Sequence, residues 1–109
     1  MRNEIIVQKL IGYIDKLTEY CTGLNYDDFS SDTKLVEACV FNLSQMGELV
    51  NKLDTAFTSV HVEIPWRSIY GLRNRIVHDY EGVNLTLVWD VISEDLPGLK
   101  IQLQRIGSS

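Results

Sequence analysis

Four ionisable side chains crowd into one short run of this 109-residue chain: Arg67, Arg73, Arg75 and His78. Asn74, Asp79 and Tyr80 stand among them. Arginine presents a planar fork that matches phosphate oxygens, and it never loses its charge. Histidine titrates near neutrality and can give or take a proton. Asparagine can hydrogen-bond and orient either an imidazole or a phosphate. Such a set can cleave RNA without a metal ion. A base takes the proton of the ribose 2′-OH, the oxygen attacks the adjacent phosphate, and Arg stabilises the charge gained in the transition state. DNA lacks that hydroxyl and would resist. The same residues also suit a bland role, because a His beside arginines on a helix is more often a solvated or structural feature. No carboxylate cluster of metal-site type accompanies His78, and no Gly-rich phosphate loop is present.

These groups fall in a segment that reads as one helix, PWRSIYGLRNRIVHDY, opening at Pro65 and stopping before Gly82. On such a helix Asn74 and His78, four apart, share a face. Arg73 and Tyr80, seven apart, share another. Arg73 and His78 are five apart and point about 140° from each other at 3.6 residues per turn. They converge only if long side chains bend, the helix distorts, or a second copy contributes. A symmetric dimer is the simplest of the three.

Other helices must carry this segment. Ile6, Leu10, Tyr13, Ile14 and Leu17 mark one apolar face of a helix from about Asn3 to Tyr20, ended by Gly23 and Asn25. The polar run YDDFSSD reads as a turn, with Ser31 or Asp32 capping the second long helix. Leu35, Cys39, Leu43, Met46, Val50 and Leu53 form its long seam, which Val36, Val40 and Leu49 widen. A helix with so wide an apolar face touches two or more neighbours. Residues 54–64 form a connector with room for a short helical turn. Asn84 caps a last helical stretch from Leu85 to about Ile106, which Pro97 should kink or break, because proline cannot donate to the carbonyl of Ser93. Nothing alternates with period two for long, so no sheet is expected. The fold class is all-α, an antiparallel bundle of four to five helices, with residues 1–109 as a single domain.

Composition sets limits on the partners. The chain is 45% hydrophobic, and fifteen acidic against ten basic residues leave a formal charge of −5. That argues against a general nucleic-acid coat protein, whose affinity comes largely from neutralising phosphates. It leaves room for a local basic site. No apolar run approaches a membrane span, and MRNEIIVQKL carries charge where a signal peptide would be apolar, so a cytoplasmic location is expected. Cys21 and Cys39 make no disulfide framework and read as buried free thiols in a reducing compartment. His61 has no assigned role, and Tyr13, Tyr20, Tyr26 and Tyr70 read as packing or surface groups.

The run Arg73-Asn74-Arg75-Ile76-Val77-His78-Asp79-Tyr80 matches the R-x-x-x-x-H-x-Y motif of the HepT toxins, within the HEPN superfamily of helical proteins. Pro65-Trp66, Gly71-Leu72, Gly82, Val88-Trp89-Asp90 and Asp95-Leu96-Pro97 extend the similarity over roughly residues 3–106. The resemblance implies a compact helical bundle that pairs as a homodimer, with the two motif helices facing each other across a positively charged cleft. It implies a metal-independent endoribonuclease without cofactor, acting as the toxin of a type VII-like toxin–antitoxin system, with RNA, such as tRNA, as substrate. Carried over residue by residue, Arg73 and His78 are the catalytic pair, and Asn74 and Arg75 support the site. Tyr80 matches the tyrosine that an MntA-like nucleotidyltransferase partner modifies with AMP. Phosphate and nucleoside placed there would occupy the position of the RNA phosphate and satisfy the nearby cations. The alternative is a non-catalytic nucleotide- or RNA-binding module, the substrate-binding partner of a minimal nucleotidyltransferase.

Overall fold

The chain is described from a computed structural model, which places residues 2–78 and 82–107, with His78 as backbone only. Helix α1, Arg2–Cys21, turns its apolar seam inward: Leu10, Ile14 and Leu17 have no exposed surface. It ends where Gly23 adopts a positive φ of 78°, a conformation that costs glycine little.

The YDDFSSD run is helical where the sequence suggested a turn. Tyr26–Ser30 forms α2, capped reciprocally by Asn25 and Asp28. Two facts drive this. The capping box supplies the free N–H groups at the helix start with partners. Phe29, the one large apolar residue within the run's interior, is fully buried with its ring 5.3 Å from that of Trp89.

Asp32 caps α3, Thr33–Val50, accepting from the Leu35 N–H. Its breadth of apolar surface is used as expected, since α3 packs against α1, α2, α5, α6 and α7. Cys39, Leu43 and Met46 lie at the centre of the core. Cys21 and Cys39 are both buried and free, with their sulfurs 3.9 Å apart at the α1–α3 contact. A short α4, Thr55–Val60, occupies the connector.

Pro65 sits just ahead of α5, Trp66–Tyr70. Trp66 is buried, and its indole N–H donates to the His61 carbonyl at 2.9 Å, which fixes the start of this helix. At the far end of α5, a glycine lets α3 approach closely. A Cβ on Gly47 of α3 would lie 3.1 Å from the Tyr70 carbonyl oxygen and 3.2 Å from that of Ile69.

The single helix expected over 65–80 is not formed. Gly71 separates α5 from a short helix α6, Leu72–Ile76, and the chain then becomes extended at Val77. Val77–His78 (β1) pairs antiparallel with Gly82–Val83 (β2), in register Val77↔Val83 and His78↔Gly82. This two-residue ladder is the exception to an otherwise all-α fold, and it too differs from the expectation of no sheet. The reason is local and tertiary together. Ile76 and Val77 are adjacent β-branched residues, which lose rotamer freedom in a helix. Ile76 is drawn into the core, and its carbonyl accepts from the Asn84 N–H at 2.7 Å, closing the hairpin. Gly82 provides the positive φ, 80°, that the return requires.

Asn84 caps α7, Leu85–Asp90, as its position suggested. The last helix neither breaks nor ends at Pro97. One π-helical turn, Val91–Asp95, joins α7 to α8, Leu96–Gly107, with the Leu96 N–H reaching back to the Val91 carbonyl. The wider turn accommodates the residues ahead of the proline without interrupting the chain. Val88, Ile92, Leu96, Leu99 and Leu103 stay buried along the whole stretch. Among the described residues no helix is long and apolar enough to cross a membrane.

Candidate active site

The motif residues stand on α6 and on the strand after it. Leu72 and Ile76, four apart, face the core and hold the turn down on α3. The three residues between them, Arg73, Asn74 and Arg75, are all exposed. Residues four apart lie on one face of a helix, so the two anchors turn the intervening positions outward. Neither Arg73 nor Arg75, nor Arg67 on α5, makes an ion pair or side-chain hydrogen bond among the described residues. An ion pair away from this segment joins Lys100 to Asp15 at 2.7 Å. Three such guanidinium groups, in a chain of net charge −5, are available to an anion from outside.

His78 does not share a helical face with Asn74. The helix ends at Ile76, and His78 belongs to β1, where its backbone is opposite Gly82. The 140° separation from Arg73 belongs to a regular helix and does not hold here. The segment does depart from a regular helix between the two residues, the second of the three routes named for their convergence. The geometric case for a second subunit falls with the regular helix, and a homodimer is left to the family resemblance. Tyr80 and Asp79 lie outside the described residues.

Arg75 has a second environment. It lines a groove of about 660 Å³ between α5–α6 and the π turn with α8. Its lining also includes Glu94 and Asp95 of the π turn, both exposed, and Ile69, Leu72, Val91, Leu96 and Leu99 contribute apolar side chains. No sequence pattern connects these groups, because Arg75 and Asp95 are far apart in the chain and on different elements. Pro97 is the one local signal, since it lies beside the distortion in which Glu94 and Asp95 sit.

The remaining titratable groups have structural settings. His61 faces Glu63, 3.7 Å away, and stacks beside Phe57. Burial pushes the Cys39 thiol up to about 12, with the neighbouring Cys21 adding to it. Cys21 is also raised by burial, offset in part by its hydrogen bond with Cys39. Such thiols are poor nucleophiles and poor metal ligands. Among the described residues no group of three or more His, Cys, Asp or Glu is placed to hold a metal ion.

The chain matches the family model "Ribonuclease HepT-like" over residues 10–106. It belongs to the HepT-like family. Two relatives agree with this placement. One, from Caldanaerobacter subterraneus, is provisionally named as an RNase and is 36% identical over 90 residues, 83% of this chain and 80% of the relative. Another, from Thermococcus cleftensis, is named "Probable ribonuclease HepT" and is 30% identical over 93 residues, 85% and 84% of the two chains. No solved structure matches this HepT-like chain. Its all-α fold is that of a HEPN protein, with the motif arginine exposed on α6.

Proposed function

We propose that this HepT-like protein is an endoribonuclease that cleaves RNA by attack of the ribose 2′-OH on the adjacent phosphate, without a metal ion. In this reading His78 takes the 2′-hydroxyl proton. The 2′ oxygen forms a bond to phosphorus, the bond from phosphorus to the 5′ oxygen of the next nucleotide breaks, and that oxygen takes a proton from water, while the proton held by His78 returns to solvent. The products are a 2′,3′-cyclic phosphate and a free 5′-hydroxyl. Arg73 binds the non-bridging oxygens and stabilises their added charge. Asn74 and Arg75 hold substrate or imidazole in place. The observation that carries the reading is an exposed Arg73 on α6, five residues before His78, in a chain whose family is that of ribonuclease HepT.

The biological setting comes from the resemblance. The protein acts as the toxin of a type VII-like toxin–antitoxin pair, as a cytoplasmic homodimer whose two motif segments share one cleft. A partner nucleotidyltransferase of the MntA kind silences it by adding AMP to Tyr80. Transfer RNA is the substrate class this reading favours.

The test is sequencing of RNA ends after a short pulse of expression without the partner, comparing wild type with His78→Ala and Arg73→Ala. New ends bearing 2′,3′-cyclic phosphate are expected in the wild type alone, unaffected by chelators. Toxicity and cleavage that survive both substitutions defeat the catalytic assignment. Intact RNA with retained nucleotide binding would instead favour the non-catalytic module. Light scattering checks the dimer, which a monomeric mass contradicts.

A further inference from the structure

We propose that the groove between α6 and the π turn is a base-recognition site, selective for an unpaired guanine of the RNA. The inference rests on the ribonuclease reading of Arg73 and His78 and adds a determinant of which RNA is cut.

The groove, about 660 Å³, lies in the range of ligand-binding clefts. Its two sides differ in chemistry. Arg75, on α6, is a donor only, and it has no ion-pair or side-chain hydrogen-bond partner among the described residues. Glu94 and Asp95, on the π turn, are acceptors when ionised and are also exposed. Ile69, Leu72 and Leu96 add apolar side chains to the same lining.

A phosphate gains little from this surface, because Glu94 and Asp95 balance the charges of Arg75 and Arg105 along the same walls. A purely apolar ligand would offer nothing to Arg75, Glu94 and Asp95. A nucleobase has a flat apolar face and hydrogen-bonding edges, as the groove requires. Guanine is the base whose edges match both walls. Its N1–H and N2–H₂ donors lie side by side and suit the fork of a carboxylate, while O6 and N7 accept from a guanidinium. Adenine and cytosine each set one amino donor beside a ring acceptor, which would confront a carboxylate with a lone pair. Uracil has one N–H between two carbonyls.

The placement also suits a single strand. Arg73 and Arg75 are two residues apart and lie on nearly opposite sides of a helix that is roughly 10–12 Å across with its side chains. A strand crossing the exposed tip of α6 can leave one base in the groove while a nearby phosphate meets Arg73. Single-stranded RNA displays its base edges for such readout, and duplex RNA does not.

Two measurements test this on the full-length protein. In the first, His78→Ala protein is titrated with GMP, AMP, CMP and UMP. GMP should bind roughly tenfold or more tightly than the others, the scale of one matched bidentate contact. Glu94→Gln, Asp95→Asn and Arg75→Ala, each at an exposed position, should shrink that preference, with unfolding curves confirming that each variant folds. In the second, wild-type protein cuts single-stranded RNAs in which one guanine is replaced by inosine, which lacks the 2-amino group, or by adenine. Replacement at one fixed offset from the cut should slow cleavage, adenine more than inosine. Equal binding of the four nucleotides, or a guanine preference untouched by both carboxylate substitutions, overturns the proposal. A guanine preference that depends on Glu94 or Asp95 in a protein that cuts no RNA keeps the site and defeats the ribonuclease reading.

Discussion

Helix α3 and the segment from Trp66 to Val83 are built on opposite terms. α3 runs for 18 residues and is packed by five other helices, so its apolar positions are each held several times over. The segment around the motif has two five-residue helices and a two-residue strand pair. It is tethered by a handful of buried groups, Trp66, Ile69, Leu72 and Ile76. An isolated helix this short is not stable, since nucleation costs more than one turn of hydrogen bonds recovers. α6 therefore exists because α3 lies beneath it. A long packed helix commits its side chains to the core. The short tethered one leaves Arg73, Asn74 and Arg75 facing solvent, with hydrogen-bonding capacity still open to a ligand.

The comparison can be broken most directly at the motif. His78→Ala should reduce RNA cleavage by roughly 10²–10⁴, the range of a lost proton-transfer group, and Arg73→Ala by roughly 10²–10³, the range of a lost donor to transition-state charge. Thermal unfolding of Arg73→Ala should barely move, because Arg73 is exposed and contributes nothing to the core. A loss of stability as large as the loss of activity would make the motif a structural element after all.

The converse substitution is Leu43→Ala in α3. Leu43 is fully buried, and its truncation should cost about 2–5 kcal/mol in denaturant unfolding. Gly47→Ala sits on the boundary between the two regions. The added methyl meets backbone carbonyls, not a flexible side chain, so α5 must shift. A cost of about 1–3 kcal/mol is expected from overpacking. Cleavage should fall by more than that stability loss explains, because α5 leads directly into α6. Asn84→Ala removes the cap of α7, next to the hairpin closure at Ile76, and should cost about 0.5–2 kcal/mol.

The smallest effect concerns the thiols of the packed region. Cys39 holds its proton up to about 12 when folded, against an ordinary value of 9.0. Above pH 9 the unfolded chain has lost a proton that the folded chain retains. Stability should therefore fall as pH rises from 9 toward 12, and this contribution should be absent below 9. Iodoacetamide at about pH 8, near the ordinary thiol range, should label Cys39 only after unfolding. Rapid labelling of the native protein would contradict the packing described at the α1–α3 contact.

Much of the scaffold was legible because period and caps are local and repeated. The seam of α3, the Asp32 and Asn84 caps and the stop at Gly23 each rest on several residues agreeing. The YDDFSSD run misled because its polarity hid Phe29, whose burial against Trp89 depends on a residue far along the chain. Pro97 announced a distortion, but its form, a π turn with no break, depends on keeping both Val91 and Leu96 in the core.

The motif residues were legible by type and order, and Arg73, Asn74 and Arg75 could be named as candidates from the chain alone. Their geometry was not, because the sequence reads as one helix through Tyr80, and it is the core contact of Ile76 and the pairing of Val77 with Val83 that end it. Composition and periodicity determined that this protein is helical, where its core seams run and which residues are equipped for phosphate chemistry. Only the packed structure decided that the motif helix stops at Ile76, that Arg75 lines one groove with Glu94 and Asp95, and that Gly47 lies close under the carbonyls of α5. Those outcomes turn on contacts between residues distant in sequence, whose energies no local pattern records.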